Sequence, residues 1–103
     1  MSTIAAFSVT PVGAGDSVGD LVAEAVRVVR SSGLPSETNA MFTNVEGTLE
    51  EVMDLIEECV RTVSASAGRV SVVVKLDVRS GPDGRMEEKV RSVERRLSRP
   101  PAS

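Results

Sequence analysis

Residues 41–51, MFTNVEGTLEE, decide how the chain folds, because one strand must end and one helix must begin inside them. The side chains alternate from 41 to 46. Phe42, Asn44 and Glu46 fall to one face and Met41, Thr43 and Val45 to the other, the period-two pattern of a half-buried strand. Gly47 then breaks the strand. Thr48 and Glu51 form a T-x-x-E capping box, in which the Thr hydroxyl accepts from the third helical amide and the Glu reaches back. A helix is therefore expected to start at Thr48.

That helix, running to about residue 65, carries Leu49, Val52, Met53, Ile56, Val60 and Val63 as its buried stripe, with Cys59 at the border. Upstream, residues 3–10 alternate as a strand with Ala5, Phe7 and Val9 toward the core. The opposite set, Ile4, Ala6, Ser8 and Thr10, is too apolar to stand freely in water, a first sign of an oligomer. Ser17 is expected to cap a helix buried through Val18, Leu21, Val22, Ala25, Val28 and Val29. Gly33 ends it and Leu34-Pro35 forbids its continuation. Residues 36–41 read as a short edge strand.

Residues 69–79 form the clearest strand, with Val70, Val72, Val74, Leu76 and Val78 as core and Ser71, Val73, Lys75 and Asp77 opposite. Residues 80–85 are a loop by their Gly, Pro and Asp content. Met86, Val90, Val93 and Leu97 mark a charged, amphipathic tail helix, and 99–103 is expected to be disordered. The order strand, helix, strand, strand, helix, strand gives an α+β fold. It is a ferredoxin-like βαββαβ sandwich with an extra C-terminal helix, one domain over residues 1–98.

Composition narrows the function. One Cys and no His in 103 residues exclude an internal disulfide framework and a Cys/His zinc site. No catalytic residue is expected: general acid/base work has no imidazole, and Cys59 stands beside Glu57 and Glu58, which disfavour a thiolate. A net charge of -3 repels a polyanion, and two Phe with no Trp or Tyr leave no platform for stacking bases, so nucleic acid is not expected as a partner. The first residues, MSTIAAFSVT, hold neither a basic leader nor a long apolar run, and no stretch approaches the ~20 apolar residues of a membrane span. A cytoplasmic protein is expected. The turn PVGAGD at 11–16 lacks the Gly-Lys-Ser/Thr of a phosphate loop, and Asp16 opposes an anion there.

The segment AMFTNVEGTLEEVM, residues 40–53, resembles the pattern A-M-F-T-x-[IV]-E-G-x-x-[ED]-E-V-M of the small thiamine-binding protein family, whose fold is ferredoxin-like. The resemblance extends to FSVTPVG at 7–13, LVAEAVRVVRSSGL at 21–34, VKLDVR at 74–79 and EEKVRSVERRL at 87–97. It implies binding of thiamine or a related pyrimidine by a homo-oligomer, a homotetramer built as a dimer of dimers, with the sheets contributing to the interfaces. The carried-over positions are Ser8, Thr43, Glu46 and Gly47, with Asn39 and Met41 beside them. The family often has a Gly near Phe42 and a less polar residue at Asn44, so Phe42 either stacks on a ring or fills its pocket.

The residues themselves leave two readings open. The sheet face opposite the core is expected to carry Ser8, Thr10, Phe42, Asn44, Glu46, Val73, Lys75 and Asp77, a set suited to a flat, hydrogen-bonding cation such as thiamine. Alternatively Lys75 neutralises Glu46 or Asp77, and the face is part of a structural or regulatory protein-interaction module with no small-molecule ligand. Neither reading calls for a cofactor.

Overall fold

Every strand of the sheet takes its register, directly or through one neighbour, from β1 (Ser2–Pro11). β1 pairs antiparallel with β3 (Thr43–Gly47), from Thr3↔Gly47 to Phe7↔Thr43. On its other side it pairs along its whole length with β4 (Val70–Arg79), from Ser2↔Arg79 to Pro11↔Val70. β2 (Ser36–Thr38) adds to β3, giving the order β2-β3-β1-β4. The computed structural model describes residues 2–80 and 85–99. The expected loop at 80–85 and tail at 99–103 fall largely outside them.

Helices α1 (Val18–Ser31) and α2 (Leu49–Ser64) cover one face. α3 (Arg85–Leu97) lies across the other, where Met86, Lys89 and Val90 approach Ile4, Ala6 and Asp77. This is the expected ferredoxin-like arrangement, and the extra C-terminal helix is α3. Under α1 and α2, Ala5, Phe7 and Val9 of β1 meet Val45 of β3, as the alternation predicts.

The capping box forms as read. Glu51 N donates to Thr48 Oγ1 at 3.1 Å, and Thr48 N donates to Glu51 Oε1 at 2.9 Å. The backbone and then the hydroxyl of Thr48 hold the Glu51 carboxyl below its ordinary range. Gly33, at φ +77°, supplies the left-handed step that ends α1.

Four expectations are corrected. Ser17 makes no side-chain cap; it sits in the helical region at φ -82°, ψ -3°, at the end of a 3-10 turn (Gly15–Ser17) that feeds directly into α1. A capping side chain needs the extended backbone that Thr48 has. The buried stripe of α2 is Val52, Leu55, Ile56, Cys59 and Val63, so Leu55 replaces Leu49 and Met53, which are exposed. β3 starts only at Thr43, so Phe42 does not share a strand face with Asn44 and Glu46.

The fourth correction concerns β4. Its side chains face as expected, but Val72, Val74, Leu76 and Val78 keep 38% to 45% of their surface exposed, and only Val70 packs against the core. β4 is an edge strand, and the two helices centre on β1, with α2 reaching β4 without closing over it.

Candidate ligand-binding site

The ladder between β1 and β3 ends at Phe7↔Thr43, so β1 runs on from Ser8 with β4 on one side and no strand on the other. The β2–β3 turn fills that side and holds its shape through Asn39. Its Oδ1 accepts from Met41 N and Phe42 N, both at 2.9 Å, and Asn39 N donates to Phe42 O at 3.0 Å. This side-chain-closed turn is why the strand starts late: it takes Met41 and Phe42 out of the ladder.

Between the turn, the end of β1 and α1 lies a cavity of about 210 Å³. Ser8, Asn39, Met41, Phe42 and Thr43 all line it. Its walls are otherwise mainly apolar: Phe7 and Val9 from β1, and Val22, Ala25, Val26 and Val29 from α1. Thr10 and Thr38 also line it, and Thr38 Oγ1 lies 3.5 Å from Thr43 Oγ1. Apolar walls with a few convergent polar groups are the usual composition of a small-molecule site. Met41, at the tip of the turn, is 74% exposed and stands at the mouth.

The remaining expected residues lie elsewhere. Asn44 and Lys75 line a larger hollow, about 650 Å³, between the open sheet face and α3, with Ile4, Ala6, Glu37 and Asp77. Glu46 and Gly47 border a third, about 500 Å³, with Pro35, Glu37, Glu51, Met86 and Glu87. The single polar face expected from the alternation is thus divided: the turn carries Phe42 to the helix side, and α3 covers part of the rest. Glu46 is buried on the open face, and its amide donates to Pro35 O at 3.0 Å. Asp77 forms its ion pair with Lys89 of α3 rather than with Lys75. Gly47 has a packing reason of its own, since a Cβ there would meet Leu34 and Glu51 Oε1 at 3.3 Å.

Sequence reasoning missed the contribution of α1. Val22 and Ala25 were assigned to its buried stripe and Val26 to neither face. The clue was Val22 and Val26 standing one turn apart at the border of that stripe. Thr38 was missed because it ends a strand too short and polar to be read as part of a pocket.

Cys59 lies outside all three hollows. It is fully buried, and its Sγ donates to Ala25 O at 3.6 Å. Burial, and secondarily the charge of Glu58, push its thiol up to about 11. Among the described residues, no group of three or more Asp, Glu, Cys or His converges as a metal site would, and no helix is long and apolar enough to cross a membrane.

Comparison with known proteins agrees with this fold. Residues 5–94 match the profile of the family described as thiamine-binding protein. A UPF0045 protein of Mycobacterium bovis is 54% identical over 101 residues, 97% of this chain and 99% of its own. The crystal structure of a hypothetical protein from Methanocaldococcus jannaschii superposes with a TM-score of 0.82 at 33% identity, covering 90% of this chain and 96% of that one. A Thermotoga maritima protein proposed to act in thiamine biosynthesis or salvage gives a TM-score of 0.80 at 26% identity, covering 90% and 99%.

Proposed function

Since the chain belongs to the thiamine-binding protein family, we propose that it binds thiamine or a related pyrimidine without converting it, as a cytoplasmic homo-oligomer. The observation that carries this reading is the cavity at the β2–β3 turn, which gathers Ser8, Asn39, Met41, Phe42 and Thr43 against α1. At about 210 Å³ it is smaller than the roughly 300–1,000 Å³ of most ligand pockets. One ring enters it, and the second stays at the mouth beside Met41.

Chemistry selects the ring. Among the described residues no charged side chain lines the cavity, so a thiazolium placed inside would be a buried, unpaired cation. An aminopyrimidine is neutral, and its edge offers donors and acceptors to the polar groups of Ser8, Thr10, Thr38 and Thr43 that line the cavity. Asn39 Oδ1 is already taken by two backbone amides, which leaves its Nδ2 as the group to meet a ligand. Turnover finds no support in these groups: the chain has no His, and its one thiol is buried and protonated at neutral pH.

Calorimetry with thiamine, the free aminopyrimidine and the free thiazolium tests the reading. Saturable heat is expected for thiamine and the aminopyrimidine and none for the thiazolium. Phe42→Ala should abolish it, whereas Glu46→Gln should leave it unchanged. A flat trace for every ligand on folded protein would overturn the proposal, and a reaction product detected by mass spectrometry would overturn its non-enzymatic part.

A further inference from the structure

Antiparallel pairing turns successive residues of a strand alternately to its two neighbours, and each hydrogen-bonded residue sends its N–H and C=O to the same side. The parity of β1 is fixed twice. Val12 N donates to Arg69 O at 2.8 Å, in register with the β1–β4 ladder, so the even-numbered residues of β1 bond β4. In the β2–β3 hairpin Asn39 N donates to Phe42 O, and Glu46 N donates to Pro35 O. The even-numbered residues of β3 therefore bond β2, which leaves Thr43, Val45 and Gly47 to bond Phe7, Ala5 and Thr3. Both ladders turn the odd-numbered residues of β1 toward β3.

Val9 is the next odd-numbered residue, and there the ladder with β3 has already ended. Its N–H and C=O point together into the gap that the β2–β3 turn leaves beside β1, and Val9 lines the cavity at that place. No hydrogen bond among the described residues takes up either group, although Val9 is only 7% exposed. A buried backbone donor and acceptor without partners are rare in a folded protein, and they call for an occupant. Two residues on, Pro11 has no N–H, so on this side of β1 beyond Phe7 the backbone offers one donor, at Val9.

We propose that the Val9 backbone reads the pyrimidine: its N–H donates to a ring nitrogen, its C=O accepts from the adjacent exocyclic amino group, and the ring adds to β1 as a further strand residue would. This rests on the proposed function and names the group that recognises the ligand. An aminopyrimidine carries acceptor and donor side by side on one edge, the complement of a single residue's N–H and C=O. The second amino hydrogen and the other ring nitrogen are left for the polar side chains of the cavity. Magnetic resonance on isotope-labelled protein with isotope-labelled aminopyrimidine tests the contact. A scalar coupling from the Val9 amide nitrogen to a ring nitrogen, across the hydrogen bond, is expected, with a downfield shift of the Val9 amide proton. The Phe7 amide, already bonded to Thr43, should gain no such coupling. Calorimetry adds the oxo analogue of thiamine, which has a carbonyl in place of the amino group. Held in the same orientation by the thiazolium at the mouth, it sets N–H against N–H and C=O against C=O. It should bind about a hundredfold more weakly than thiamine, since both hydrogen bonds are lost. Saturable binding of the aminopyrimidine with neither coupling nor shift at Val9, or equal affinity for the oxo analogue, would overturn the Val9 contact and leave the proposed function standing. Folded protein that binds neither thiamine nor the aminopyrimidine would overturn both.

Discussion

The two halves of the sheet carry similar aliphatic patterns and meet opposite surroundings. In β1 and β3, Ala5, Phe7 and Val45 are sealed under α1 and α2. In β4, Val74 and Leu76 pair with Phe7 and Ala5 and face the same way, yet keep more than a third of their surface in solvent. Alternation sets the direction of a side chain, whereas coverage depends on where the helices lie. A strand rich in Val is therefore a core strand only if something covers it, and over β4 the helices supply that cover only in part.

Truncation should show the largest contrast. Phe7→Ala is expected to cost about 3–5 kcal/mol in urea denaturation, because Phe7 is 2% exposed and its loss leaves a cavity. Val74→Ala, directly across the ladder, should cost about 1 kcal/mol in a dilute monomer, since part of its surface is already in water. Equal costs at every protein concentration would mean that β4 belongs to the closed half after all.

Cys59 probes the seal itself. With the thiol raised from 9.0 to about 11, the thiolate fraction at pH 8 falls about a hundredfold, and a disulfide reagent should label the folded protein slower by at least that factor. The same shift fixes a pH dependence. The folded state holds the proton that the unfolded thiol releases above about pH 9, so this contribution to stability is complete below pH 9 and disappears as pH rises to about 11. Labelling at the rate of a free thiol would show that α1 and α2 open readily.

Local signals in the sequence carried the fold well. The T-x-x-E box, Gly33 before Leu34-Pro35 and the alternation of β1 each act within a few residues, and each appears in the structure as read. What was illegible depends on contacts between distant segments. Nothing near Asn39 shows that its carboxamide will close the turn and swing Phe42 to the helix side, and nothing near Leu49 shows that α2 will rotate Leu55 inward. The candidate site was legible as a stretch of chain. Its division among three hollows was not, because α3 and the end of the β1–β3 ladder impose it.

Thr48 allows a finer test within the closed half. Thr48→Ala removes the acceptor for Glu51 N and should cost about 1 kcal/mol. Thr48→Asn or Thr48→Asp should recover most of it by offering another oxygen to the same amide. A full loss in those replacements would assign Thr48 to packing rather than to capping.

The smallest effect is expected where the open half is held to the sheet. Asp77 of β4 and Lys89 of α3 form an ion pair whose side chains are 38% and 51% exposed, so solvent screens it and its coupling should be about 0.2–1 kcal/mol. Val90, Val93 and Leu97 remain exposed on α3, leaving little apolar burial to reinforce the pair. Global unfolding is a poor reporter, because α3 can leave the sheet while the α1–α2 core stays shut. Amide exchange along α3 in a double-mutant cycle of Asp77→Asn and Lys89→Met isolates the term, and 1 M salt should reduce it further. A coupling above about 2 kcal/mol would contradict this, since an exposed pair does not reach that value unless something more shields it from water. The contrast between a closed and an open half would then have to be redrawn with α3 on the closed side.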